Sequence, residues 1–277
     1  MPRVFFITGS NRGIGHATGQ LVLDQGEYLV ATARNPALLS FNNTTSDNYL
    51  ALKLDVTSPS DIHAALAAAL DKFKRIDVVV NNVAFGLLDP LESITDAQMR
   101  HQFDVNFFPM VTITREAIRI MRKQSPSGGF ILQVSSNAGL VGMPAMSGYC
   151  ASKFALEGFT ESVRQEVHPD WKIKIMAVQL GHCATEAMKY SMVYGEKEVA
   201  GYDHLPSMRK AAVEWEGVGV PPSGVAKAFY KLSQMEDPPL RASVTPDCLE
   251  YARKKLKDTE ELLFREDLVE LAMSSAA

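Results

Sequence analysis

Cysteine is scarce in this chain: Cys150, Cys183 and Cys248 are the only three among 277 residues. An odd count at wide spacings fits neither a disulfide framework nor a zinc site, and points to a reducing, cytoplasmic compartment. The six histidines are scattered, with no i, i+4 pair, so no metal site is expected. Charge of one sign is also missing: 28 Lys and Arg face 32 Asp and Glu, a net charge of −4. That balance excludes a basic stripe for nucleic acid and a polybasic segment for a membrane surface. No apolar run approaches the ~20 residues of a membrane-spanning helix. The N-terminal "MPRVFFITG" leads straight into a strand and a glycine turn, unlike a signal peptide. Repeats, low-complexity tracts and Pro/Gly-rich linkers are absent, so residues 1–277 are expected to form one domain.

What is present is 46% apolar residues, ample for one large core. Short apolar runs alternate with longer helical patterns. "RVFFIT" (3–8), "YLVATA" (28–33), "YLALKLDV" (49–56), "IDVVVNN" (76–82), "GFILQVSS" (129–136), "KIKIMAVQL" (172–180) and "LRASV" (240–244) read as strands. Continuous apolar runs of this kind suit strands covered on both faces. Helices are expected between them, including 95–123, 147–167 and 222–234. Ser58 is an N-cap, followed by Pro59 at N1 and Asp61 in the first turn. The alternation predicts an α/β fold: a doubly wound, Rossmann-type parallel sheet of about seven strands with helices on both faces. From about 184 to 222 the pattern breaks, as expected of a functional lid insertion. Residues 246–274 are expected to form one or two closing amphipathic helices.

"FITGSNRGIGHATG" places Gly9, Gly13 and Gly15 between the first strand and the first helix. Small residues there let backbone approach a pyrophosphate, which the helix N-terminus then attracts. The second strand ends in "ATARNP", with Arg34 where an acidic residue would hold a ribose 2′-hydroxyl. A guanidinium can bind a 2′-phosphate that a carboxylate would repel. Arg12, inside the turn, could add a second cation. The expected cofactor is therefore NADP(H).

In "SGYCASKFALEGF" (147–159), Tyr149 and Lys153 stand four residues apart, on one face of a helix. A phenol titrates near pH ~10, too high for easy proton exchange at neutral pH. A nearby ammonium would lower that value and make the phenol a usable acid–base group.

The ordered set "TGSNRGIG" (8–15), "LDV" (54–56), "NNVA" (81–84), "VN" (105–106), "VSS" (134–136), "YCASK" (149–153) and "LGHCAT" (180–185) resembles the short-chain dehydrogenase/reductase family, over residues 1 to about 185. The resemblance implies that Tyr149 is the general acid/base and that Lys153 lowers its pKa and holds the nicotinamide ribose. It implies that Ser136, rather than Ser135, orients the substrate carbonyl, and that Asn106 joins Lys153 to solvent through water. Gly9, Ser10, Arg12, Gly13, Ile14 and Gly15 would cradle the cofactor phosphates. Asp55 and Val56 would border the adenine, Asn82 would lie along the cofactor, and Gly181, Cys183 and Thr185 would line the nicotinamide side. Pro109 has no N–H to donate, so a carbonyl near Val105 or Asn106 is expected to be free for the relay. Two departures stand out. Val83 and Ala84 replace smaller residues and are expected to crowd the cofactor groove. Leu180 replaces a proline and is expected to loosen its loop. His182 is read as a solvated loop residue.

Met188, Tyr190, Met192, Tyr194, Met208 and Trp215 make the lid soft and aromatic, and Met143 and Pro144 precede the Tyr149 helix. Such side chains suit an apolar small-molecule pocket. The expected enzyme is an NADPH-dependent carbonyl reductase acting on a lipophilic ketone or aldehyde. The alternatives are an alcohol dehydrogenase working in the oxidative direction and a non-redox NADPH-binding cyclase or sensor. The helices at 95–123 and 147–167 are the family's dimer surface, so a homodimer or homotetramer is expected.

Overall fold

Strand β1 (Val4–Ile7) has all four residues buried because it runs through the middle of a sheet covered on both faces. The computed structural model describes residues 1–263 and Met273. After β1 come α1 (Gly13–Asp24), β2 (Tyr28–Ala33), β3 (Tyr49–Lys53), α2 (Pro59–Phe73) and β4 (Val78–Asn81). Next are β5 (Gly86–Leu88), α3 (Asp96–Asn106), α4 (Phe108–Met121), β6 (Gly129–Val134), α5 (Ser147–Glu166) and β7 (Ile173–Gln179). The last third holds α6 (Ala187–Tyr190), β8 (Met192–Tyr194), α7 (Met208–Glu214), α8 (Pro222–Leu232), β9 (Arg241–Ser243) and α9 (Pro246–Leu263).

The main sheet has seven strands in the order β3-β2-β1-β4-β6-β7-β9, and every pairing is parallel. Alternate residues feed two separate cores. Phe6, Val30, Val79, Ile131 and Ile175 face Ile62, Leu66, Ile113 and Ala117 of α2 and α4. Phe5, Leu29, Val80, Leu132 and Val178 face Val22, Val225 and Phe229 of α1 and α8. Strand order reverses between β1 and β4, which opens a crevice at the carboxyl ends of the strands.

Three features depart from the sequence-based expectation. The helix expected over 95–123 is broken at Phe107 (φ −124°, ψ −62°), with Pro109 in the first turn of α4. The segment 184–222 is not wholly irregular, for it carries α6, β8 and α7. Its β8 pairs in parallel with β5, matching Gly86 to Met192 and Leu88 to Tyr194. The closing helix α9 starts at Pro246 as expected, and the remainder of the 246–274 stretch, Met273 apart, lies outside the described residues. At α2 the cap is as expected: the Asp61 N–H donates to Ser58 Oγ at 3.2 Å. Among the described residues no helix is long and apolar enough to cross a membrane.

Candidate active site

The glycine turn leaves β1 and enters α1 with Gly9 at φ +67° and Gly13 at φ +57°. A Cβ on Gly15 would run into the carbonyl oxygen of Gly9, so helix and turn can meet only without a side chain there. Asn82 braces the turn, its Nδ2 donating to Thr8 O at 2.9 Å and to Gly9 O at 3.2 Å. Ser10 is fully buried and donates to Ile7 O at 2.8 Å, so its hydroxyl holds the turn shut. Ile14 packs against the core beneath. Helix α1 begins without a side-chain cap and without an acidic residue in its first turn. A turn that a Cβ on Gly15 would block, under an uncapped helix N-terminus, fits a dinucleotide pyrophosphate.

Arg34 is exposed just beyond β2. Arg12 is engaged elsewhere: its guanidinium lies 4.8 Å from the centre of the Tyr190 ring and donates to Ser191 Oγ at 3.3 Å. The structure thus does not hold the two arginines as an assembled pair; one is held by the lid segment. Asp55 accepts from Thr57 N at 3.0 Å and Thr57 Oγ1 at 2.8 Å, and Val56 is buried in the core. Val83, partly buried, packs against that core, and its Cγ2 comes so near Gly9 that a Cβ there would meet it at 2.9 Å.

Tyr149 and Lys153 lie on the first two turns of α5, with the ammonium 5.8 Å from the phenol ring centre. The lysine is 1% exposed, and its Nζ donates to Val134 O at the end of β6 at 2.8 Å. Burial lowers its pKa to about 8, against the opposing field of Glu157. Burial pushes the Tyr149 phenol up to about 12, and the hydroxyl of Ser136 offsets this only in part. The expectation that Lys153 lowers the Tyr149 pKa is not met in the protein alone. The Lys153 N–H bond is turned toward the strand, and desolvation sets the direction of the Tyr149 shift. Ser136 caps the short turn Asn137–Gly139, donating to Asn137 Oδ1 at 2.9 Å and accepting from Ala138 N at 3.2 Å. Ser135 is buried, and its Oγ has no partner among the described residues.

Asn106 is fully buried at the end of α3. Its side chain is spent on Phe85, accepting from the N–H at 3.0 Å and donating to the carbonyl at 2.8 Å, with a third bond to Ser152 Oγ at 3.2 Å. The helix break after it leaves Val105 O without a donor from Pro109, as the sequence implies. Any relay role for Asn106 therefore falls to its main chain, since its amide is committed to the loop after β4.

The loop after β7 was expected to be loose and His182 solvated; both are tied down. Leu180 is buried in the core. Gly181 N donates to Thr245 Oγ1 at 2.8 Å, and His182 N donates to Asp247 Oδ2 at 2.8 Å. The imidazole Nδ1 lies 2.9 Å from the same carboxylate oxygen, and the ring meets Trp215 edge-on at 5.0 Å. These bonds hold the Asp247 carboxyl below the usual range despite its partial burial. Cys183 bridges to Val220, and burial pushes its thiol up to about 12. Thr185 lies close to Gly13, which brings this loop to the glycine turn. Asp247 is 65 residues from His182 in the chain, so no local pattern could announce the pair.

A family model described as short chain dehydrogenase matches residues 3–192. The chain is 39% identical over 265 residues to the oxidoreductase calM of Penicillium decumbens, covering 91% of this chain and 87% of the other. It is 31% identical over 248 residues to a 3-ketodihydrosphingosine reductase of Bacteroides thetaiotaomicron, covering 88% of each. A short-chain dehydrogenase from Streptomyces avermitilis has a similar structure, with a TM-score of 0.87, 25% identity and 98% of both chains aligned. Sequence motifs, sheet order and these likenesses agree, and the chain belongs to the short-chain dehydrogenase family of oxidoreductases.

Proposed function

We propose that this oxidoreductase uses NADPH to reduce the carbonyl of a lipophilic small molecule to a secondary alcohol. When bound, the nicotinamide would supply the hydride. Tyr149 donates the proton to the carbonyl oxygen, Ser136 orients that oxygen, and Lys153 holds the ribose and places a positive charge beside the phenol. The Asn106 main chain, at the helix break, starts the path that returns a proton to Tyr149. One observation carries this reading: Tyr149 stands within reach of the Ser136 hydroxyl, with the buried Lys153 ammonium 5.8 Å from its ring centre.

NADPH rather than NADH is supported by Arg34, exposed where an acidic residue would favour the unphosphorylated ribose. Arg12 can join it by leaving Tyr190. A lipophilic substrate is supported by the apolar cluster of Leu88, Ala145 and Met208 with Met146, Met192 and Trp215. The Bacteroides relative, a 3-ketodihydrosphingosine reductase, agrees with that class. We read residues 1–277 as one cytoplasmic domain, with 184–222 as its lid and 246–274 as a helical extension. Phe108 on α4 and Phe154 on α5 are 54% and 42% exposed, which supports assembly through those helices into a dimer or tetramer.

The test is loss of reduced-nicotinamide absorbance with a panel of apolar ketones, NADPH and NADH in parallel. Turnover with NADPH is expected, falling ~10²–10⁴-fold in Tyr149→Phe. Preference for NADH, or an undiminished Tyr149→Phe, would overturn the reading.

A further inference from the structure

Glu157 is a buried carboxylate that the proposed reaction does not use. It stands one helical turn beyond Lys153 on α5 and is 4% exposed. Side chains at i and i+4 share a helix face, so the two buried charges are neighbours, with no ion pair within 4 Å between them. In a poorly solvated interior, charges at that separation still interact far more strongly than in water. The carbonyl of Val134 gives the ammonium a hydrogen bond but no counter-charge.

Glu157 is itself held from two strands. Arg241 Nε on β9 donates to its Oε2 at 2.8 Å, and Gln179 Nε2 on β7 donates to its Oε1 at 3.2 Å. The far side of the guanidinium reaches Glu161 at 2.6 Å, and Ser243 Oγ fixes Gln179 with a 3.0 Å bond. The other titratable group that α9 brings toward Glu157 is the thiol of Cys248. Tyr149, Lys153, Glu157 and Glu161 thus form one i+4 stripe, clamped at its far end by Arg241.

We propose that Glu157 is a positioning residue for Lys153: its negative charge keeps the buried lysine protonated beside Tyr149, and Arg241 fixes Glu157 for that task. The inference rests on the role proposed for Lys153. It makes the edge strand β9 part of the reaction centre's electrostatics. The field acts in the stated direction, since Glu157 opposes the fall in Lys153 basicity that burial imposes.

The experiment is a pH titration of the Lys153 side-chain NMR signal in the chain without nucleotide, assigned through Lys153→Met. A midpoint near 8 is expected in the wild type. Glu157→Gln should lower it by about one pH unit or more, Glu157→Asp should recover part of the change, and the basic limb of the reductase profile should move with it. Arg241→Gln, at the sheet edge, removes the cation that neutralises Glu157 and should move the midpoint the opposite way, upward, and it serves if Glu157→Gln fails to fold. An unmoved midpoint in folded variants overturns the proposal, because a merely structural Glu157 would cost stability without touching the titration. If the midpoint moves while Tyr149→Phe keeps full activity, the proposed reaction fails and this electrostatic coupling stands.

Discussion

Lys153 is buried with its charge, and that has a consequence for stability. Its native pKa of about 8 lies below the ordinary 10.5. Below pH 8 both states are protonated and the native state bears the full cost. Between about 8 and 10.5 the unfolded chain holds a proton that the native chain has lost, so stability rises with pH there. Tyr149 works the other way above its ordinary value of 10, since the native phenol keeps its proton up to about 12. Urea unfolding at a series of pH values should show the rise from 8 to 10 in the wild type and a flatter line in Lys153→Met. An equal slope in both would remove Lys153 as the cause. At this scale the sequence was informative about identity and silent about environment. The Tyr149–Lys153 spacing is local and readable from helix geometry. The Arg241 that holds Glu157 is 84 residues away from it, and the burial that sets the Tyr149 pKa depends on loops from several strands.

Among the elements, all seven strands of the main sheet were readable: five are largely buried apolar runs, and the half-exposed edge strands β3 and β9 stand out by their flanking turn residues. The small β5–β8 sheet was not: three residues a side is too short for a period, and its pairing joins residues 86–88 to 192–194. The helix break at Phe107 was readable only in its cause, Pro109, and not in its extent. Pro109→Ala should restore an N–H to the Val105 carbonyl. If the open carbonyls at this break serve the proton path, turnover should fall while thermal unfolding shifts little; a rate equal to wild type would remove the break from the mechanism. Gly15→Ala should be worse tolerated. The added methyl meets the Gly9 carbonyl, and a backbone that must move to relieve such a clash costs ~1–3 kcal/mol. Reduced nucleotide binding together with a lower unfolding midpoint is expected, measured by calorimetry on the same preparation.

Across the whole molecule, the lid and the glycine turn share one side chain. Arg12 stacks on Tyr190, a contact of the kind worth ~0.5–1 kcal/mol at exposed sites. If Arg12 must leave that ring to reach a 2′-phosphate, Tyr190→Ala should tighten NADPH binding by roughly 2–5-fold, with NADH unchanged. Equal gains for both nucleotides would show that the ring blocks entry rather than holding the arginine. The far end of the chain has an equally direct part. Thr245 and Asp247 clamp Gly181 and His182, and Arg241 holds Glu157. Residues 1–185 carry every motif that identifies the family, yet the side chains that clamp Gly181, His182 and the Oε2 of Glu157 come from residues after 240. During synthesis the N-terminal part emerges first. The glycine turn and the Tyr149 helix can therefore leave the ribosome long before their braces exist, and a nascent chain stopped short of Arg241 would display the whole signature of an enzyme without the supports that set its reaction centre.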